Sequence, residues 1–135
     1  MDLNQKFELL MKAYDNAYAR YSHFHVGAIV ILKDGNYFIG SNIENASFGL
    51  TNCAERSALF AAYTNGYRQD DIEELAIIGK SQDFLYPCGA CRQVIFELMN
   101  KDAKVTLFKL DKSFREHTVA ELLPFAFDER ELDAK

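Results

Sequence analysis

The chain has 135 residues, 49% of them hydrophobic, and a formal net charge of −5. That length suits one domain, expected over residues 1–135, with enough apolar content for a substantial core. The acidic balance argues against a polyanion-binding protein, and no run approaches the roughly 18–20 apolar residues that span a bilayer.

In chain order, apolar side chains recur at helical spacing over residues 3–21, at Phe7, Leu10, Met11, Tyr14, Ala17, Tyr18 and Tyr21. Lys6, Glu8, Lys12, Asp15 and Arg20 lie opposite, so the pattern predicts an amphipathic helix with one buried stripe. Val26 to Leu32 is a continuous apolar run suited to a strand covered on both faces. Lys33-Asp34-Gly35-Asn36 is a turn signal, and Tyr37 to Asn42 returns as an antiparallel strand. Residues 54–64 read as a helix stopped at Asn65-Gly66.

Leu75 to Gly79 predicts a third strand. A helix over Gly89 to Asn100 follows, with Val94, Ile95, Leu98 and Met99 inward. Val105 to Leu110 is a fourth strand and Phe114 to His117 a short fifth. Thr118-Val119-Ala120-Glu121 forms a capping box for a last short helix, which Pro124 ends. The alternation predicts a three-layer α/β/α sandwich on a mixed five-stranded sheet, its later strands joined by right-handed crossovers.

The chain has three cysteines. They stand in Cys53-Ala54-Glu55 and in Pro87-Cys88-Gly89-Ala90-Cys91-Arg92-Gln93. An odd count, and a start at Met1 to Lys6 that lacks the plan of a signal peptide, point to a reducing cytoplasm rather than a disulfide framework. Zinc takes thiolate ligands in a tetrahedron, and a catalytic site leaves the fourth corner for water. Three sulfurs with a carboxylate two residues from the first therefore read as a hydrolytic centre. It would hold one zinc per chain, with Glu55 as general acid and base.

Cys88 and Cys91 are three apart at a helix start, so both sulfurs share a side. Cys53 begins the other central helix, and helix N-termini favour anionic sulfur. Pro87 sets the entry to the third helix, and Gly89 is expected to let the backbone come close. Three thiolates on a divalent ion leave one net negative charge. Arg56 is expected to donate hydrogen bonds to the sulfurs and offset it. A structural zinc knuckle would need a fourth ligand from His23, His25 or His117, and three ordinary buried cysteines remain a further reading.

The Cys-x-Glu and Pro-Cys-x-x-Cys elements match the pattern of zinc nucleobase deaminases with cysteine in place of histidine. The chain resembles the small, all-cysteine cytidine deaminases of free nucleosides. The likeness also covers Tyr21 to Ala28, Gly40-Ser41-Asn42-Ile43-Glu44-Asn45, Arg56 and Leu122-Leu123-Pro124. It implies zinc held by Cys53, Cys88 and Cys91, and Glu55 as the proton shuttle. It implies that Asn42 and Glu44 bind the ribose hydroxyls, that Phe24 packs on the pyrimidine, and that the Ala54 backbone reads the base edge. Phe127 would reach into a neighbouring subunit's pocket, in a homotetramer. The implied reaction is hydrolytic deamination of cytidine and deoxycytidine to uridine and deoxyuridine, a step of pyrimidine salvage.

Arg20, His25 and Phe125 stand where the family commonly has proline, proline and a small residue. Three other readings stay open from the residues themselves. These are a deaminase of a nucleoside antibiotic, a deaminase of polynucleotide cytosine, and a zinc-stabilised binding module without catalysis. A carboxylate at Glu44 disfavours phosphate-bearing substrates.

Overall fold

The structure is a computed structural model, and it describes residues 1–127. Five strands form one sheet in the order β2-β1-β3-β4-β5. β1 is Val26–Leu32, β2 Tyr37–Ser41, β3 Ile72–Gly79, β4 Lys104–Phe108 and β5 Phe114–Thr118. β3 and β4 pair in parallel, and the other neighbours are antiparallel. Helix α1 (Leu3–Asp15) covers one face, and α2 (Ala54–Thr64), α3 (Gly89–Leu98) and α4 (Val119–Leu122) cover the other. The expected mixed sheet between two helical layers is present.

The period-two alternation of strands sorts the core into two halves. Ala28, Val30, Leu32, Leu75, Ile77, Val105 and Leu107 pack with α2 and α3. Ile29, Ile31, Ala76, Ile78 and Phe108 pack with Leu10 of α1. This double burial explains the unbroken apolar run of β1. The β1–β2 hairpin turns at Gly35, whose φ of +91° is a conformation glycine adopts without strain. Asp34 Oδ1 accepts from the Asn36 N–H at 3.0 Å and locks the turn.

The first helix is shorter than the apolar spacing predicts. It ends at Asp15, and the chain leaves it to bridge Ile43 at Tyr18. The Tyr18 N–H donates to the Asn42 carbonyl at 2.9 Å, and the Glu44 N–H donates to the Tyr18 carbonyl at 2.9 Å. The segment after β2 thus satisfies backbone groups that another helical turn would have used. Lys6 also departs from expectation. It is not on the solvated face but buried under α1, donating to Glu74 Oε1 at 2.8 Å and Oε2 at 2.9 Å. Thr106 Oγ1 donates to the same carboxylate at 2.6 Å.

That pairing explains why β3 starts at Ile72 rather than Leu75, since Glu74 is an inward-facing strand residue. β4 stops at Phe108, where Lys109 turns toward β5 through a bond from its N–H to the Ser113 carbonyl. In α3, Phe96 joins Ile95 in the core, whereas Val94 and Leu98 are half-buried. The capping box at Thr118 forms as expected.

Topology places the site. β2 and β3 both run antiparallel to β1, so they run parallel to each other on either side of it. α2 follows β2 and α3 follows β3, both on the same face. Their N-termini therefore start at one edge of the sheet, the edge where β1 begins. Ligands of open α/β sheets gather beyond strand carboxyl ends for this reason. α2 lies very close to β2: a Cβ added at Gly40 would stand 2.5 Å from the Ala54 carbonyl oxygen and 2.5 Å from the Ala58 nitrogen.

Gly40→Ala is expected to cost about 1–3 kcal/mol through overpacking, read as a lower melting temperature. Glu74→Ala is expected to cost about 3–5 kcal/mol by stranding a buried ammonium. The double variant Lys6→Met/Glu74→Leu is expected to recover most of that loss in the same denaturation assay.

Candidate active site

Cys53 caps the N-terminus of α2, Cys88 caps that of α3, and Cys91 lies in the first turn of α3. All three sulfurs lie within 4.8 Å of one another. Tetrahedral zinc with bonds of about 2.3 Å spaces its sulfurs about 3.8 Å apart, so the set fits with a small inward closure. Among the described residues no further His, Asp or Glu donor joins this group. His25 Nδ1 sits 3.0 Å from the Tyr14 carbonyl oxygen, and His117 Nε2 sits 3.1 Å from Tyr86 Oη. His25 and His117 are therefore engaged elsewhere, and His23 does not join the three-sulfur group either.

The sulfurs are electrostatically prepared. The Cys91 N–H donates to Cys88 Sγ at 3.4 Å, and Arg56 Nη2 donates to Cys53 Sγ at 3.3 Å. A hydrogen bond from the Cys91 thiol, reinforced by Arg56, holds Cys53 below the ordinary thiol range. The same bond and burial push Cys91 upward. One anionic sulfur is thus favoured without a cation, whereas a divalent ion draws all three into the thiolate form. Gly89 plays no part in close approach, since a Cβ there would meet no protein atom within 4 Å. Among the described residues Arg56 Nε is buried without a hydrogen-bond partner.

Glu55 is 5% exposed, in the first turn of α2. Burial pushes its carboxyl above the usual range, and the neighbouring Cys53 charge adds to the shift. A buried acid beside a metal-ligating cluster is placed both to release and to recapture a proton.

A cavity of about 280 Å³ opens over the cluster. Phe24, Asn42, Glu44, Cys53, Ala54, Glu55 and Cys88 line it, with Ser22, Val26, Thr51, Asn52, Ile77, Leu85, Tyr86 and Pro87. It is at the small end of ligand cavities, which run to about 1,000 Å³. Phe24 is 39% exposed and faces this space, so it is not a core residue.

Asn42 is buried and pinned twice. Its Oδ1 accepts from the Val26 N–H at 2.9 Å, and its Nδ2 donates to the Phe24 carbonyl at 2.8 Å. Glu44 Oε1 accepts from the N–H groups of Tyr21 at 2.9 Å and Ser22 at 3.0 Å. Its Oε2 accepts from the Ser22 hydroxyl. That hydroxyl, and next the Ser22 N–H, hold Glu44 below the usual carboxylate range.

Phe127 is 58% exposed and does not line its own chain's cavity; its carbonyl accepts from Gln93 Nε2 at 2.8 Å. Phe125 is fully exposed at a φ of +56°. Thr51, Asn52, Leu85 and Tyr86 are wall residues outside the segments singled out in the sequence, and Ser22 lies within the Tyr21 to Ala28 segment but was given no role there. The first four lie just before Cys53 and Pro87, so the helix-capping positions of Cys53 and Cys88 were the available signal.

The model of the cytidine and deoxycytidylate deaminase zinc-binding region matches residues 2–107. A cytidine deaminase of Halalkalibacterium halodurans is 47% identical over 98% of this chain and 99% of its own length. One of Sporosarcina psychrophila is 42% identical over 98% of this chain and 96% of its own. The crystal structure of a cytidine deaminase from Burkholderia pseudomallei superposes with a TM-score of 0.90 at 43% identity, covering 94% of this chain and 100% of that one. With sequence and fold in agreement along nearly its whole length, the chain belongs to the cytidine and deoxycytidylate deaminase family.

Proposed function

We propose that the chain is a zinc-dependent cytidine deaminase, converting cytidine and deoxycytidine to uridine and deoxyuridine with release of ammonia. One observation carries the reading: a three-sulfur cluster beside a buried carboxyl whose proton affinity is raised, at the floor of a nucleoside-sized cavity. Cys53, Cys88 and Cys91 would hold zinc, which when bound supplies Lewis acidity and an activated water.

The chain's own groups do the rest. As the water oxygen bonds to ring C4, Glu55 takes one of its protons and delivers it to ring N3. Glu55 next moves the second water proton from the new C4 hydroxyl to the exocyclic nitrogen. The C4–N bond then breaks to release ammonia and leave the uracil carbonyl. The raised proton affinity of Glu55 suits both transfers. Phe24 faces the pyrimidine, and the Ala54 backbone reads the base edge. Arg56 offsets the surplus negative charge of three thiolates.

Glu44 accepts from the sugar, with Asn42 beside it. A carboxylate offers about four lone-pair sites, and three are already taken. One remains for a substrate hydroxyl, which supports the acceptance of both ribose and deoxyribose. The anionic Glu44 and the size of the cavity disfavour nucleotides and polynucleotides. Asn42 and Glu44 together suit an ordinary nucleoside better than a nucleoside antibiotic.

No helix among the described residues is long and apolar enough to cross a membrane, and the free cysteines support a cytoplasmic setting. Exposed Phe127 supports a homotetramer in which this ring completes a neighbour's pocket. The reaction would serve pyrimidine salvage.

Cytidine, deoxycytidine, cytidine monophosphate and single-stranded DNA, each mixed with the zinc-loaded protein, test the reading through the ultraviolet change from cytosine to uracil. The first two are expected to react. Glu55→Ala is expected to lose about 10²–10⁴-fold in turnover while elemental analysis still finds zinc. Cys88→Ala is expected to lose both the metal and thermal stability. Full zinc occupancy at the parent's melting temperature would contradict that assignment.

A further inference from the structure

Ser22 occupies an unusual place in the hydrogen bonding of the cavity. Its N–H donates to Glu44 Oε1 at 3.0 Å, and its hydroxyl donates to Glu44 Oε2. The same hydroxyl oxygen accepts from the Phe24 N–H at 3.0 Å. One side chain therefore joins the carboxylate that faces the sugar to the backbone that carries the base-facing ring. The turn between them passes through His23 at a φ of +58°, a left-handed conformation that L side chains seldom adopt. Phe24 is fixed on its other side by Asn42 Nδ2, which donates to its carbonyl at 2.8 Å. Loop and carboxylate thus form one unit, closed through the Ser22 hydroxyl.

We infer that Ser22 is a positioning residue, whose hydroxyl sets the sugar acceptor Glu44 and the base-facing Phe24 at a fixed separation. The inference rests on the nucleoside reading above. A free carboxylate at this depth would rotate and spread its lone pairs. Three donors from two consecutive residues remove that freedom before substrate arrives, and such preorganisation raises affinity. The hydrogen bonds of the Ser22 hydroxyl go to Glu44 and the Phe24 N–H, and among the described residues none goes to the cysteines or Glu55. Its loss is therefore felt as binding energy common to ground state and transition state, which raises KM and spares kcat.

Steady-state kinetics of zinc-loaded Ser22→Ala test this. With cytidine, KM is expected to rise about tenfold, the equivalent of one hydrogen bond to a charged group, with kcat within about threefold. Ser22→Thr, which keeps the hydroxyl, is expected to restore KM. With 2′,3′-dideoxycytidine, which offers Glu44 no hydroxyl, the rise in KM is expected to shrink to about threefold or less. Zinc content and melting temperature are expected to match the parent.

A fall in kcat or melting temperature at unchanged KM would overturn the inference, leaving Ser22 a turn-former only. An equal rise in KM for both substrates would also overturn it. If Ser22→Ala does not fold, Ser22→Cys preserves the side-chain volume, weakens the donor and must raise KM in the same selective way. A parent protein that deaminates no cytidine would overturn the nucleoside reading, and this inference with it. Parental activity with an unchanged KM in the variants would overturn the inference alone.

Discussion

The convergence of two helix N-termini on one point of the sheet edge is the constraint on which the site depends. β2 and β3 point the same way because both pair antiparallel with β1. Each is followed by a helix on the same face, so Cys53 and Cys88 arrive as neighbouring caps. Helix ends offer free N–H groups and a partial positive charge. These favour sulfur in its anionic form, where an interior position would oppose it. The metal-ligating set thus follows from strand direction and helix polarity together.

The close contact of α2 with β2 keeps this arrangement rigid. Gly40 lets the helix backbone rest on the strand, and Ala54, Ala58 and Ala62 present a small, fully buried face there. Glu55 follows Ala54 on this helix and is itself buried. The raised proton affinity of Glu55 comes first from its burial, with the Cys53 charge adding to it. On the opposite face, Glu74 is held by Lys6 and Thr106. That buried network fixes how α1 crosses the sheet, and so where the chain leaves α1 to form the cavity rim.

The rim itself is built from two segments distant in sequence. Residues 18–24 and 42–44 exchange backbone bonds, and the side chains of Asn42 and Glu44 bind the rim backbone as well as facing the cavity. Both groups therefore have a structural role in addition to the sugar contact proposed for them. His25 ties the same rim to Tyr14 of α1 through the bond at its Nδ1.

Much of the molecule was legible in the chain alone. The run Val26–Leu32, the Asp34-Gly35 turn, the Thr118 capping box and the spacing of Cys88 and Cys91 each act over a few residues, so local chemistry sufficed. The grouping of Cys53 with Cys88 and Cys91 was readable because zinc demands a particular donor count. Where the first helix ends was decided by pairing with residues 42–44, and the burial of Lys6 by Glu74 sixty-eight positions away. The part of Ser22 likewise depends on Glu44, twenty-two positions on. Helical spacing and charge report only which side chains could share a face. Partners brought together by the fold decide which polar groups can be buried, because burial is favourable only when a partner meets them.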